Sequence, residues 1–254
     1  MATLQPPVSP LDEPMSFSSS HGRQEQISQN ELVVAVDFGT TFTGVAYYHA
    51  GAAFENIDEN DVRRIAEKVN VINTWPHNPA SQYAEKTPTV LSYNTDPPTW
   101  GGYVRTQHRP QISGFKLGLE PNIFQHYNRL PKNLNGLGTV PQLPGKLPVD
   151  FTTDYLACVH NHVQRVCFPR LFGADVLEYQ RMRYIVTIPA IWSDEAKALT
   201  RRAACRAFDV SNEHLQLITE PEAAALYCAS MSQDAGLKDG DRFIVCDAGG
   251  GTVV

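Results

Sequence analysis

No apolar run in this 254-residue chain approaches the roughly twenty residues that a bilayer-spanning helix needs, and the first thirty residues lack the apolar centre of a secretory signal. These absences predict no membrane partner and a cytoplasmic location, with the nucleus as a second possibility. There is no basic excess: 21 Lys and Arg stand against 27 Asp and Glu, a formal net charge of −6, and the basic residues are scattered apart from short groups such as Arg201-Arg202. No DNA or RNA partner is expected. Cysteines are few and odd in number, and Cys158, Cys167, Cys205, Cys228 and Cys246 are widely spaced among mostly apolar neighbours. This suits buried thiols in a reducing compartment. Cys158, His160 and His162 have the composition of a metal site, but positions two apart on a helix diverge by roughly 200° and cannot share one ion.

What the chain does contain is one short phrase written twice. Leu32-Val-Val-Ala-Val-Asp37-Phe-Gly39-Thr40-Thr41 lies near the start, and Phe243-Ile-Val-Cys-Asp247-Ala-Gly249-Gly250-Gly251-Thr252 lies at the end. In each, an apolar run reads as a buried strand tipped by Asp, and a turn of small residues follows at once. Glycine and threonine in such a turn let main-chain N–H groups approach a phosphate, and an Asp at a strand tip can hold a hydrated divalent cation. Two such turns could hold one phosphate chain from both sides.

The remaining text organises around that pair. Residues 1–30, rich in Pro, Ser and Gln, read as a disordered leader. A strand from Leu32 and a returning strand over Thr43–Tyr48 make a hairpin. Val62, Ile65, Ala66 and Val69 suggest a short helix, with Val71-Ile72 either extending it or starting a strand. Residues 73–148 are rich in Pro and Gly and read as an inserted lobe with long loops, with strands expected at Thr89–Tyr93 and Gly102–Val104. Tyr155, Leu156, Val159, Val163 and Val166 form a helical stripe that Thr152 or Thr153 could cap. Tyr184–Ile188 reads as a buried strand. Ser193 caps a helix reaching about Phe208, Leu215–Ile218 is a further strand, and Glu220-Pro221 opens an Ala-rich helix through Met231. This alternation is α/β wiring.

Taken in order, Asp37-Phe-Gly-Thr-Thr41, Val186-Thr-Ile-Pro-Ala190, Glu220-Pro-Glu-Ala-Ala-Ala225 and Asp247-Ala-Gly-Gly-Gly-Thr252 resemble the nucleotide-binding domain of the 70-kDa heat-shock chaperone family. More narrowly, they resemble its divergent members that lack the usual peptide-binding domain. The resemblance implies the actin-like ATPase (ribonuclease H-like) fold, with a first lobe over 31–240 and the start of a second over 241–254. It implies ATP or ADP with Mg2+ as ligands, and protein clients or co-chaperones as partners of a longer parent. Gly39, Thr40 and Thr41 would lie beneath the phosphates, and Gly249, Gly250, Gly251 and Thr252 would form the opposing clamp. Asp37 and Asp247 would hold the metal through water, Asp247 also serving catalysis. Glu220 would shape the metal's water shell, and Lys116, in Gly114-Phe-Lys-Leu-Gly118, would extend toward the terminal phosphate. Plainer roles are a helix-capping acid for Glu220, a hairpin residue for Asp247 and a surface lysine for Lys116.

The sequence departs from the family at two places. Phe42 stands where many members carry tyrosine, and Val254 stands where the second motif ordinarily continues with Asp. The expectation is a shortened ATPase domain, weak or inactive alone. Two alternatives stay open: a sugar or metabolite kinase of the actin-like superfamily, and a non-catalytic binding module or truncated product.

Overall fold

The computed structural model describes residues 31–50, 65–76, 85–106, 111–123, 143–173, 180–231, 242, 244–246 and 249. Residues 1–30 and most of the final fourteen residues lie outside that set. Strand β1 (Glu31–Phe38) and strand β2 (Phe42–Ala50) form the expected antiparallel hairpin, with Val36 opposite Val45 and Asp37 opposite Gly44. Two-residue β3 (Asn70–Val71) pairs with Ala46 and Tyr47, so the strand alternative holds there and the helical turn stops at Ala66. Strand β4 (Lys86–Pro88) pairs with the start of β2.

Strands β5 (Val90–Ser92), β6 (Thr99–Trp100) and β7 (Ile112–Ser113) make a small antiparallel sheet with β5 in the centre. Gly102–Val104 is not a strand, contrary to expectation. Gly101, at φ +61, turns the chain sharply, and helix α1 (Gly102–Thr106) then buries Val104 completely. Three alternating residues are too few to specify an extended segment against such a turn.

Helix α2 (Pro148–His162) starts one turn before the expected cap. Asp150 accepts from the Leu147 N–H at 2.9 Å, while Thr152 and Thr153 sit inside the helix and donate back to Pro148 and Val149. The threonines satisfy their hydroxyls on the preceding turn, as an interior Thr does. A π turn over Val163–Cys167 leads into helix α3 (Phe168–Phe172).

Strand β8 (Arg181–Ile188) lies parallel to β1, and β9 (Leu215–Thr219) lies parallel to β8. Helix α4 (Asp194–Phe208) connects them, capped by the Ser193 hydroxyl accepting from the Ala196 N–H at 3.3 Å. Helix α5 (Glu220–Met231) follows β9 without a loop. The main sheet therefore runs β3-β2-β1-β8-β9, with β4 also on β2.

Alternation fixes which face is covered. Leu32, Val34, Val36 and Phe38 of β1, with Tyr184, Val186 and Ile188 of β8, join Tyr155, Leu156 and Val159 of α2 and Ala203, Ala204 and Phe208 of α4 in one core. Leu91, Phe115 and Leu119 belong to that core too. Among the described residues, α5 leaves Leu226 60% and Tyr227 62% exposed.

Two further expectations fail. Residues 244–246 lie in no strand and Ile244 is 95% exposed; without a paired neighbour an apolar run has no ladder to complete. Cys228 and Cys246 are exposed, so only Cys167 is fully buried among five free thiols.

At the joint between α2 and the sheet, His160 Nε2 and the Tyr184 hydroxyl lie 2.9 Å apart, and the Gln164 amide donates to the same hydroxyl at 2.9 Å. His162 Nε2 instead meets the Thr74 carbonyl at 2.7 Å. Burial, assisted by Arg165 and opposed by Asp209, pulls His160 down to about 4. A neutral folded imidazole means that the unfolded chain takes up the proton first as pH falls. The stability due to neutral His160 is therefore complete above about pH 6.5 and declines toward pH 4, with a slope approaching about 1.4 kcal/mol per pH unit for one proton. Urea unfolding across that range should show His160→Gln with a shallower slope than the parent. An unchanged slope would mean that His160 titrates alike in both states.

Candidate functional site

The carboxyl ends of the three parallel strands finish level with one another, because Val36 pairs with Val186 and Ile188 pairs with Thr219. In open α/β sheets this edge is where ligands bind. Asp37 and the Gly39–Thr41 turn end β1 at this edge, Glu220 follows the end of β9, and Lys116 reaches Glu220 beside the Phe38 ring.

Asp37 is on the β1 face opposite Phe38, and half its side chain is accessible. Its Oδ1 accepts from the Thr187 hydroxyl at 3.0 Å, and its Oδ2 accepts from the Lys86 ammonium at 2.7 Å. Thr187 occupies the matching polar position at the end of β8. The Lys86 pair is exposed on both sides and contributes little to stability.

The turn after β1 is tight. Gly39 N–H donates to the Asp37 carbonyl at 3.1 Å, and a Cβ at Gly39 would collide with the carbonyl oxygen of Phe42. Thr89 clamps the turn from outside. Its hydroxyl donates to the Gly39 carbonyl at 2.9 Å and lies 2.9 Å from the Thr43 hydroxyl, while its N–H donates to the Thr41 carbonyl at 2.9 Å. Thr40 is buried. The Arg105 guanidinium sits 5.2 Å from the centre of the Phe42 ring, so the residue that lacks a tyrosine hydroxyl still presents an aromatic face to a cation.

Lys116 is not a surface lysine. It is 1% exposed, opens the short 3-10 turn Leu117–Leu119, and donates to Glu220 Oε1 at 2.5 Å across 104 residues of sequence. Its ammonium lies 5.5 Å from the Phe38 ring centre and 5.6 Å from that of Trp192. Phe38 in turn stacks on Phe115, and Tyr155 packs tilted against both, with 5.6 to 6.3 Å between ring centres. A cation this deep needs its counter-charge, and Glu220, the first residue of α5, supplies it.

Asp247, Gly250, Gly251 and Thr252 lie outside the described residues, as does the geometry of the second turn; Gly249 is described and is exposed. Sequence reasoning missed Lys86, Thr89, Thr187 and Trp192. Thr187 carried a signal, being a lone hydroxyl in an apolar strand two positions before proline. Lys86 and Thr89 carried none, since they reach the site from a stretch without periodicity.

The chemical character of the site is that of an anion cradle flanked by hard oxygen donors. A tight glycine turn ends β1, a buried ammonium lies against the ring of Phe38, the residue before that turn, and two carboxylates occupy the neighbouring strand ends. Among the described residues no three His, Cys, Asp or Glu side chains gather closely enough to ligate a metal directly.

The mixed α/β sheet is consistent with an actin-like ATPase fold of the 70-kDa heat-shock type. No family model matches the chain. Distant relatives nevertheless point the same way. The chain is 26% identical over 215 residues to heat shock 70 kDa protein 12A of Homo sapiens, covering 79% of this chain and 29% of that protein. It is 25% identical over 239 residues to heat shock 70 kDa protein 12B of Homo sapiens, covering 88% and 32%. It is 27% identical over 237 residues to the chaperone protein HscA homolog of Vibrio atlanticus (strain LGP32), covering 91% and 33%. Each is a likeness to a heat shock 70 kDa or chaperone protein at 25 to 27% identity, and the chain spans about a third of the length of those relatives. No helix among the described residues is long and apolar enough to cross a membrane.

Proposed function

We propose that this chain is the phosphate-gripping part of an ATP-binding, 70-kDa heat-shock-like ATPase domain, acting in a chaperone of greater length. Residues 31–240 form its first lobe, with 73–148 inserted, and 241–254 begin the second. The observation that carries the reading is a buried Lys116–Glu220 pair beside the Phe38 ring, one residue before the Gly39–Thr41 turn that ends β1.

In this reading the N–H groups of Gly39, Thr40 and Thr41 hold phosphate oxygens, Gly39 exchanging the Asp37 carbonyl for one of them, and Gly249, Gly250, Gly251 and Thr252 approach from the other side. Lys116 orients and neutralises the terminal phosphate. Asp37, Asp247 and Glu220 hold water, Asp247 or Glu220 aligning the molecule that attacks. Bound Mg2+ supplies further neutralisation of the phosphate oxygens. Phosphoryl transfer needs placement and charge compensation more than a strong base, and these residue types supply both. ADP is the expected product ligand. Clients and co-chaperones belong to the longer parent.

Magnitude sets the expectation for this chain alone. Three or four amide–phosphate hydrogen bonds at about 1 to 1.5 kcal/mol each give roughly 4 kcal/mol, which corresponds to a millimolar dissociation constant. Isothermal titration with Mg-ATP should therefore show weak saturable binding, unchanged by added sugars. Absence of saturation above about 10 mM would remove the nucleotide reading. Sugar-dependent consumption of ATP would move the chain to the sugar or metabolite kinases.

A further inference from the structure

The buried carboxylate of Glu120 has no part in the site described so far. Glu120 is 4% exposed and closes the short Leu117–Leu119 turn that Lys116 opens. Its Oε2 accepts from the main-chain N–H of Ser193 at 2.8 Å, and Ser193 is the cap of α4. Its Oε1 accepts from both the main-chain N–H and the side-chain amide of Asn122 at 3.3 Å. Burial pushes the Glu120 carboxyl up, but the hydrogen bonds from Ser193 and Asn122 outweigh that and hold it below its ordinary value. The group is thus an ionised, acceptor-only tie. Ser193 directly follows Trp192, whose ring flanks the Lys116 ammonium. One carboxylate therefore joins the segment that carries Lys116 to the segment that carries a wall of its pocket.

We propose that Glu120 is a positioning residue for Lys116: by fixing the Leu117–Leu119 turn against the start of α4, it keeps the ammonium on Glu220 and at the phosphate site. The functional half of this statement rests on the nucleotide reading above; the geometric half does not.

The test uses the whole 254-residue chain. Amine-reactive labelling followed by mass spectrometry should find Lys116 protected in the parent, as a 1% exposed side chain must be. Glu120→Ala should raise its labelling about tenfold, the loss expected when one or two charge-assisted hydrogen bonds go, while amide exchange through residues 196–207 of α4 stays slow. Glu120→Gln, which keeps an acceptor for Ser193 but turns an amide toward the Asn122 donors, should give a smaller rise and serves alone if the alanine variant does not fold. Mg-ATP affinity should fall about tenfold in Glu120→Ala and not fall further when Glu120→Ala is added to Lys116→Met. Unchanged labelling in a folded variant, or an equal affinity loss in the Lys116→Met background, would overturn the proposal. A parent chain that binds no Mg-ATP would sink the nucleotide reading alone, and the labelling comparison would still decide the role of Glu120.

Discussion

Replacing Glu220 by alanine lowers the unfolding free energy by about 3 kcal/mol, whereas replacing Lys116 by methionine lowers it by about 1 kcal/mol. The asymmetry follows from burial. Lys116 is 1% exposed and Glu220 14%, and the two meet at 2.5 Å. Removing the carboxylate strips the counter-charge from an ammonium enclosed by Phe38 and Trp192. Removing the ammonium instead leaves an unbranched apolar chain in an aromatic pocket, and a carboxylate near enough to solvent to hydrate. Urea unfolding of both variants checks the order. Equal costs would mean that water reaches Lys116 freely and that the pair is an ordinary surface contact.

Gly39→Ala has the second large effect, an expected loss of about 2 to 3 kcal/mol together with a Mg-ATP affinity at least about tenfold weaker. The added methyl meets the carbonyl oxygen of Phe42, the first residue of β2, which is main chain and cannot rotate aside as a side chain could. The turn cannot simply widen, because the Thr89 hydroxyl and N–H hold the Gly39 and Thr41 carbonyls. Gly44→Ala is the matched control. Its Cβ would meet the Glu85 carbonyl and the Lys86 side chain at 3.4 Å, ordinary contact, so its cost should stay near 1 kcal/mol. Denaturant melts and nucleotide titrations of the pair measure both effects. A Gly39→Ala chain as stable and as competent as the control would show that the turn is not closely packed.

The strands and helices that build this edge were legible because each carries its own local signal. Alternation of Leu32, Val34, Val36 and Phe38 against intermediate neighbours marks a strand with one buried face, and Ser193 with Asp194 and Glu195 marks a helix start. Pro221 in the first turn of α5 did the same. Legibility failed where structure depends on distant partners. Gly102–Thr106 became helical because Gly101 reverses the chain against Thr87, which no window around residue 102 contains. Thr152 and Thr153 are good caps by type, yet Pro148 and Asp150 had already begun the helix. The site divides the same way. Asp37, Gly39 and Glu220 announced themselves through strand-end position, whereas the burial of Lys116 needed Phe38, Trp192 and Glu220 brought together from three separate parts of the chain. Asn122, two residues on, is a local partner for Glu120, but the donor that ties it to the start of α4 is the Ser193 N–H, 73 residues away.

Amide and side-chain NMR of the isotopically labelled chain during Mg-ATP addition tests the central claim most directly. The account predicts saturable shifts concentrated at Gly39, Thr40 and Thr41, at the Lys116 ammonium and at Glu220, with α3 unaffected. Saturable shifts that spare this sheet edge and gather elsewhere would contradict it.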